Sequence, residues 1–375
     1  MNRVVKESSQ VSAYLTWFLV HGVQTGVGML NFQQKIADGA EQDAWVSVLF
    51  VGVCMHLVVF MLFRMLRNVE GGDIISLHRQ LFGKVLGNGL TLVLYAYCVL
   101  ICTGQIRPYA EVIHVWVFPD SPLWHIALII LTVSVYTASG GFRVVAGICF
   151  LCVAIPTLVL PSLYFPLRFA HWQNFLPLWN HGLSDYAKSA ANAVYVYLGP
   201  EFLLLYYPFL KNNRKAQKWA HIAAAHTILI TMIILVATLA YFNMGQLKHT
   251  VWPTLILSKI IRFAFLERFD YIYIFNWLIV ILPICTMAIW GGARILTQTL
   301  RFSKKWALGV TMLAIFGMVL LQRTPVSIER MENIISLVGG ALVFGYIPLL
   351  FAVVSVVQRV KRRHSARSIG NGAGE

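Results

Sequence analysis

Long stretches of this chain carry no Asp, Glu, Lys or Arg. Such runs occupy 8–34, 44–63, 85–106, 121–142, 144–167, 219–247, 271–293, 306–322 and 333–358, and a tenth, 189–210, is interrupted by Glu201 alone. A helix needs about 20 predominantly apolar residues to cross the hydrocarbon of a bilayer. All but 306–322 meet that length. A membrane β-barrel would instead alternate strictly in segments of about ten residues. The balance of residues agrees: 58% are apolar and 12% charged, about half the ~25% charged share of soluble domains, too few to cover the surface of a 375-residue soluble protein. Collagen-like, disulfide-rich and disordered classes fail too, because Gly and Pro are ordinary and aromatics reach 13%. The expectation is an all-α polytopic membrane protein with ten transmembrane helices.

Lys and Arg placement sets the orientation. With a cytoplasmic N-terminus, one side collects Arg3, Lys6, Arg64, Arg67, Arg79, Lys84, Arg143, Lys211, Arg214, Lys215, Lys218, Arg294, Arg301, Lys304, Lys305 and the tail, which is 20 of the 30 basic residues. Both termini then face the cytoplasm, and topology accounts for the net charge of +15 without a nucleic-acid partner. The first apolar run lacks a short apolar core followed by a small-residue cleavage site, so it reads as a retained helix. Residues 1–358 are expected to form a single transmembrane domain. Residues 359–375, basic and then Ser/Gly-rich, are expected to be a disordered cytoplasmic tail.

Two spans are irregular. The first runs into His21-Gly22-Val23-Gln24-Thr25-Gly26-Val27-Gly28, where three glycines and three polar side chains weaken a helix at membrane depth. Irregular backbone there is tolerated only when buried in protein or lining a polar cavity. A small-residue packing face through Gly22 and Gly26 is the other reading. The sixth span places Gly199, Pro200 and Glu201 in consecutive positions after Tyr195-Val196-Tyr197-Leu198. Proline removes a backbone donor and clashes with the preceding turn. An intramembrane carboxylate points to function by default, although a protonated, hydrogen-bonding structural role is open. The two interruptions lie five helices apart, in units of opposite topology (repeat one about 8–167, repeat two about 184–358). That is the pattern of a 5+5 inverted repeat (LeuT-like), with its substrate near the midplane where half-helix ends meet.

The remaining motifs carry less. All six cysteines (Cys54, Cys98, Cys102, Cys149, Cys152, Cys285) fall inside predicted spans, where cysteine is a small hydrophobe. No partner pair gives zinc spacing, so no metal or other cofactor is expected. Histidines 56, 114, 125 and 226 are scattered singly, without a nucleophile arrangement or an H-E-x-x-H, which argues against an enzyme. Trp45, Trp124, Trp172, Trp179, Trp252 and Trp277 fall near span ends, as headgroup-level rings do. The stretch 243–270 reads as an external amphipathic helix, either a lid or a surface anchor.

Tyr197-Leu198-Gly199-Pro200-Glu201 resembles the G-x-E tract of helix six in the amino acid–polyamine–organocation transporters, and the helix-one glycines fit the same superfamily. More narrowly, Gly26-Val27-Gly28-Met29-Leu30, Asp43-Ala44-Trp45-Val46-Ser47-Val48-Leu49 and Leu266-Glu267-Arg268-Phe269-Asp270, the last before a helix bearing Trp277, resemble the endospore germination permease family, the B subunits of GerA-type germinant receptors. The chain departs from it at Asn31-Phe32-Gln33, where many members carry a Leu-Pro pair followed by a basic residue. The resemblance implies a nutrient sensor of the spore inner membrane. Such a subunit binds a small germinant, commonly an amino acid, and acts with A-type and C-type subunits in the lipid bilayer.

The binding residues expected from the two breaks and the flanking helices are Gln24, Thr25, Gly26, Val27, Gly28, Tyr97, Tyr195, Leu198, Gly199, Pro200, Glu201 and Thr286. An ion-coupled amino acid symporter is the alternative. Sodium-coupled relatives place two hydroxyls on helix eight, where Ile284-Cys285-Thr286-Met287-Ala288 has one. Some proton-coupled relatives place a lysine on helix five, and 144–167 has none.

Overall fold

The structure is a computed structural model that describes residues 5–67, 69, 71–261 and 268–371. Apart from one isolated parallel bridge, between Val11 and Leu210, the regular structure among these residues is helical. Apolar side chains gain nothing by hiding from lipid, but every backbone N–H and C=O at that depth must be paired within the segment, so apolar runs become helices.

The first half comprises α1 (Leu15–Gln24), α2 (Phe32–Ala40), α3 (Ala44–Leu66), α4 (Ile74–Trp116), α5 (Leu123–Ser139), α6 (Phe142–Thr157) and the short α7 (Tyr164–Leu167). The second comprises α8 (Leu183–Tyr197), α9 (Leu203–Tyr206), α10 (Asn213–Tyr241), α11 (Met244–Lys248), α12 (Pro253–Lys259), α13 (Phe269–Thr299), α14 (Lys304–Leu321), α15 (Pro325–Gly340) and α16 (Ile347–Asn371). Among the described residues, seven helical stretches are long and apolar enough to cross a membrane, and α5 is a shorter apolar helix. The chain is thus a multi-pass membrane protein.

α13 runs through the middle, packed most extensively on α4 and also on α6, α5, α14 and α1. α1 lies between α10, α6 and α13, while α2 packs along α8. Gly22 permits the close approach of α1: a Cβ there would stand 3.1 Å from Val153 and 3.4 Å from Pro283. α4 bends at Gly83, whose φ of 74° suits glycine. Before α1, Val11 N donates to Phe209 O at 2.8 Å and Lys211 N to Val11 O at 2.9 Å, which ties the entry of α1 to the turn after α9.

Both irregular spans are interrupted, as their glycines and Pro200 predict: run 8–34 is divided into α1, a 3-10 turn at Val27–Leu30 and α2, and run 189–210 by Leu198 and Gly199 and by 3-10 turns on either side of α9. Another expectation is corrected. Stretch 243–270 is not one amphipathic helix: α11 and α12 are separate short helices, and residues 262–267 lie outside the described residues, taking Leu266 and Glu267 with them. α16 runs on as helix from Ile347 to Asn371, and 372–375 lie outside the described residues.

Candidate functional site

α1 stops because Thr25 leaves helical geometry (φ −81°, ψ 129°) and Gly26 is fully extended. Any residue adopts the φ of Gly26. What demands glycine is space, since a Cβ there would collide with the Gln105 side chain, and one on Gly28 would lie 2.6 Å from the Tyr195 ring. α8 stops at Leu198, and Gly199 turns the chain with φ 140°, where a Cβ would also press on the backbone of Val23 and Gln24 at 2.8–2.9 Å. The two breaks therefore touch. Gln24 Nε2 donates across to Tyr197 O at 3.1 Å, while Gln24 Oε1 accepts from Thr227 Oγ1 at 2.8 Å.

A small cavity sits against the glycine face of the first break. Gln24, Gly26, Gly28, Met29, Ile101, Gln105, Tyr195, Val196, Leu198 and Ile284 line it, and its free volume is about 10 Å³, room for roughly one water. Two side chains fill the rest. Gln105 Oε1 accepts from Val27 N at 2.8 Å, and Tyr195 OH donates to Gly104 O at 3.2 Å. From behind, Trp277 Nε1 donates to Gly26 O at 3.2 Å. The site is closed.

Glu201 stands beside this cavity rather than in its wall. It is 1% exposed, and its two oxygens accept from Tyr97 OH at 2.5 Å and from Gly199 N at 2.7 Å. The carboxylate thus ties the second break to α4. A further clasp joins the broken first span to α15: Lys35 Nζ meets Glu332 Oε2 at 2.5 Å, and it lies 6.0 Å from the centre of the Tyr195 ring. Glu332 is 4% exposed and its Oε1 has no hydrogen-bond partner. Asn31, part of the Asn31-Phe32-Gln33 departure, approaches the same carboxylate at 3.5 Å.

Of the expected residues, Gln24, Gly26, Gly28, Tyr195 and Leu198 come together around the cavity, and Val27 joins them through its N–H. Tyr97, Gly199, Pro200 and Glu201 form the buried clamp next to it. Thr25 faces the other side of the break, with Oγ1 donating to His21 O at 3.1 Å. Thr286 is buried in α13 outside this cavity's wall, and its hydroxyl has no partner. Gln105 was missed as a site residue, although it lies two turns beyond Tyr97 on the same helix. Trp277 is not a headgroup-level ring: it is 6% exposed and holds Gly26. The histidines are not solitary either, for His56 and His221 meet at 3.0 Å between Nδ1 atoms, and the rings of His21 and His226 lie 4.2 Å apart, tilted by 44°.

Two facing backbone breaks inside a wholly helical membrane bundle define a protein of transporter fold. Its fold is similar to that of Mhp1, a nucleobase-cation-symport-1 family transporter solved in a closed conformation with bromovinylhydantoin bound, with a TM-score of 0.62 and 12% sequence identity over 91% of this chain and 79% of that one. The chain belongs to the spore permease family of spore germination proteins, whose profile matches residues 10–328. It is 34% identical to spore germination protein GerQB of Bacillus cereus, across 94% of this chain and 98% of that protein. To spore germination protein B2 of Bacillus subtilis (strain 168) it is 22% identical, across 83% and 86%.

Proposed function

We propose that this germination protein is the B-type, nutrient-sensing subunit of a germinant receptor in the spore inner membrane. It binds a small zwitterion, an amino acid, between the two breaks and passes the event to A-type and C-type subunits. In this reading residues 1–358 form one domain of ten spans, built as two inverted five-helix repeats (8–167 and 184–358), with both termini cytoplasmic. The lipid bilayer is its solvent, and it catalyses no reaction.

The observation that carries the proposal is the Gln105–Val27 bond. A backbone N–H released by the break is satisfied by a side-chain amide oxygen, in the place a ligand carboxylate oxygen would take. Gln24, Gly26, Gly28, Tyr195 and Leu198 share the same small space, and swinging Gln105 and Tyr195 aside would make room for a ligand. Gly199, Pro200 and Glu201 support the site by shaping the second break, Tyr97 by holding Glu201, and Thr25 and Thr286 from the neighbouring faces.

The test is equilibrium binding of the twenty common amino acids to the purified protein. One or a few are expected to bind saturably. Gly26→Leu, which drives a side chain into Gln105, is expected to reduce that affinity at least tenfold while the protein still accumulates in the membrane. Unchanged binding in a folded Gly26→Leu protein overturns the site.

A further inference from the structure

On the other face of the unwound stretch lies a second cavity, of 60 Å³, between α1, α6, α10 and α13. Val153, Pro156, Leu160, Ile230, Ile234 and Val280 make most of its wall apolar. Its polar groups are few. Asn276 is 8% exposed and belongs to the wall, and its side chain makes no hydrogen bond among the described residues. His21, 5% exposed, spends Nδ1 on Thr227 Oγ1 at 2.8 Å, which leaves Nε2 without a protein partner. An amide with no protein partner must be matched by whatever fills the cavity beside it.

We propose that this cavity is a binding site for a short neutral carboxamide. No described residue in its wall is Asp, Glu, Lys or Arg, so a charged head group would enter without a counter-ion, at high desolvation cost. Asn276 offers a donor and an acceptor side by side, and an amide head group returns both. The apolar wall takes the tail. At about 10–15 Å³ per water-sized group, 60 Å³ holds about four to six such groups, so beyond the three of the amide head the tail is limited to about three carbons or fewer. The mouth lies at exposed Thr157 and half-exposed Val159 and Leu160, past the last turn of α6. Thr25, Met29 and Trp277 belong to the wall, so an occupant bears directly on the stretch that Trp277 holds through Gly26 O.

Butyramide is the probe, titrated against the purified full chain by ligand-observed NMR, with butyrate and butylammonium as charged controls. Butyramide is expected to bind saturably, and the two ions at least tenfold more weakly. Asn276→Leu, which removes the head-group partner, and Val280→Phe, which fills the void while keeping Asn276, are each expected to weaken butyramide binding at least tenfold. Should Asn276→Leu fail to accumulate, Val280→Phe carries the comparison. Equal binding of all three probes, signal that rises linearly with concentration, or wild-type binding in the folded variants overturns the site. The readout involves no amino acid, so it stands or falls apart from the germinant site.

Discussion

Both oxygens of Glu201 accept a hydrogen bond, one from Tyr97 OH and one from Gly199 N. An amide has one acceptor oxygen, so Glu201→Gln turns an N–H toward one of these donors. Leaving a buried donor unmatched costs about 1–3 kcal/mol. Glu201→Gln is therefore expected to lower the melting temperature of the purified protein and weaken the response to germinant, with Tyr97→Phe a milder change. Because the two side chains share one bond, the double variant should fall short of additivity by about 1 kcal/mol. Strict additivity would place Tyr97 outside the clamp. At this scale the sequence is most legible where chemistry is unusual for membrane depth, as at Gly26, Gly28, Gly199, Pro200 and Glu201. Gln105 and Trp277 were hidden for a physical reason. Each sits on an unbroken helix, and its role depends on which way that helix is rotated against the first break, which no local pattern records.

Elements are held at the breaks by a few cross-links. The Lys35–Glu332 pair joins α2 to α15 with the carboxylate almost fully buried. Removing one partner of such a pair strands the other charge, which costs several kcal/mol; since Lys35 keeps 23% exposure, about 2–3 kcal/mol is expected for Lys35→Met. Adding Glu332→Gln to that variant removes the stranded charge and is expected to recover most of the loss in thermal melts. At the other end, Lys211 Nζ bonds Glu7 Oε1 at 2.8 Å beside the Val11 bridge. The hydrogen bond and charge of Lys211 hold the Glu7 carboxyl below its ordinary value of 4.5. A lowered folded-state pKa contributes stability above the unfolded value, and that contribution is lost as pH falls through the folded one. The small deficit of Glu7→Gln against wild type should thus be present at neutral pH and vanish well below pH 4.5. Charge-free runs anticipated most long helices, because lipid leaves an apolar segment no other way to pair its backbone. They overran the breaks, since a run without charges says nothing of backbone continuity. Separately, the apolar spacing of 243–270 reads as one amphipathic helix where α11 and α12 are two.

For the whole molecule, the fold alone does not separate a sensor from a transporter, and the likeness to Mhp1 sharpens the question. In the closed form the cavity on the glycine face holds about 10 Å³, so any ligand must bind a rearranged state and shift the population toward it. In a symporter, a co-transported ion helps to drive that shift. Helix α13 offers Thr286, buried and unpartnered, but Cys285 and Met287 flank it where a second hydroxyl would sit, and no lysine occurs on α6. A receptor subunit needs no such ion, because the rearrangement is read by another protein and the coupling free energy is spent across that contact. The purified chain in liposomes is accordingly expected to show no concentrative amino acid uptake under an inward sodium or proton gradient. In spores it is expected to co-purify with A-type and C-type subunits and to fall in abundance when either is deleted. The basic segments Lys211 to Lys218 and Arg294 to Lys305 are the surfaces to probe, by charge reversal scored as loss of co-purification. Gradient-driven uptake by the isolated chain, with normal abundance when the partners are missing, would make the protein a symporter instead.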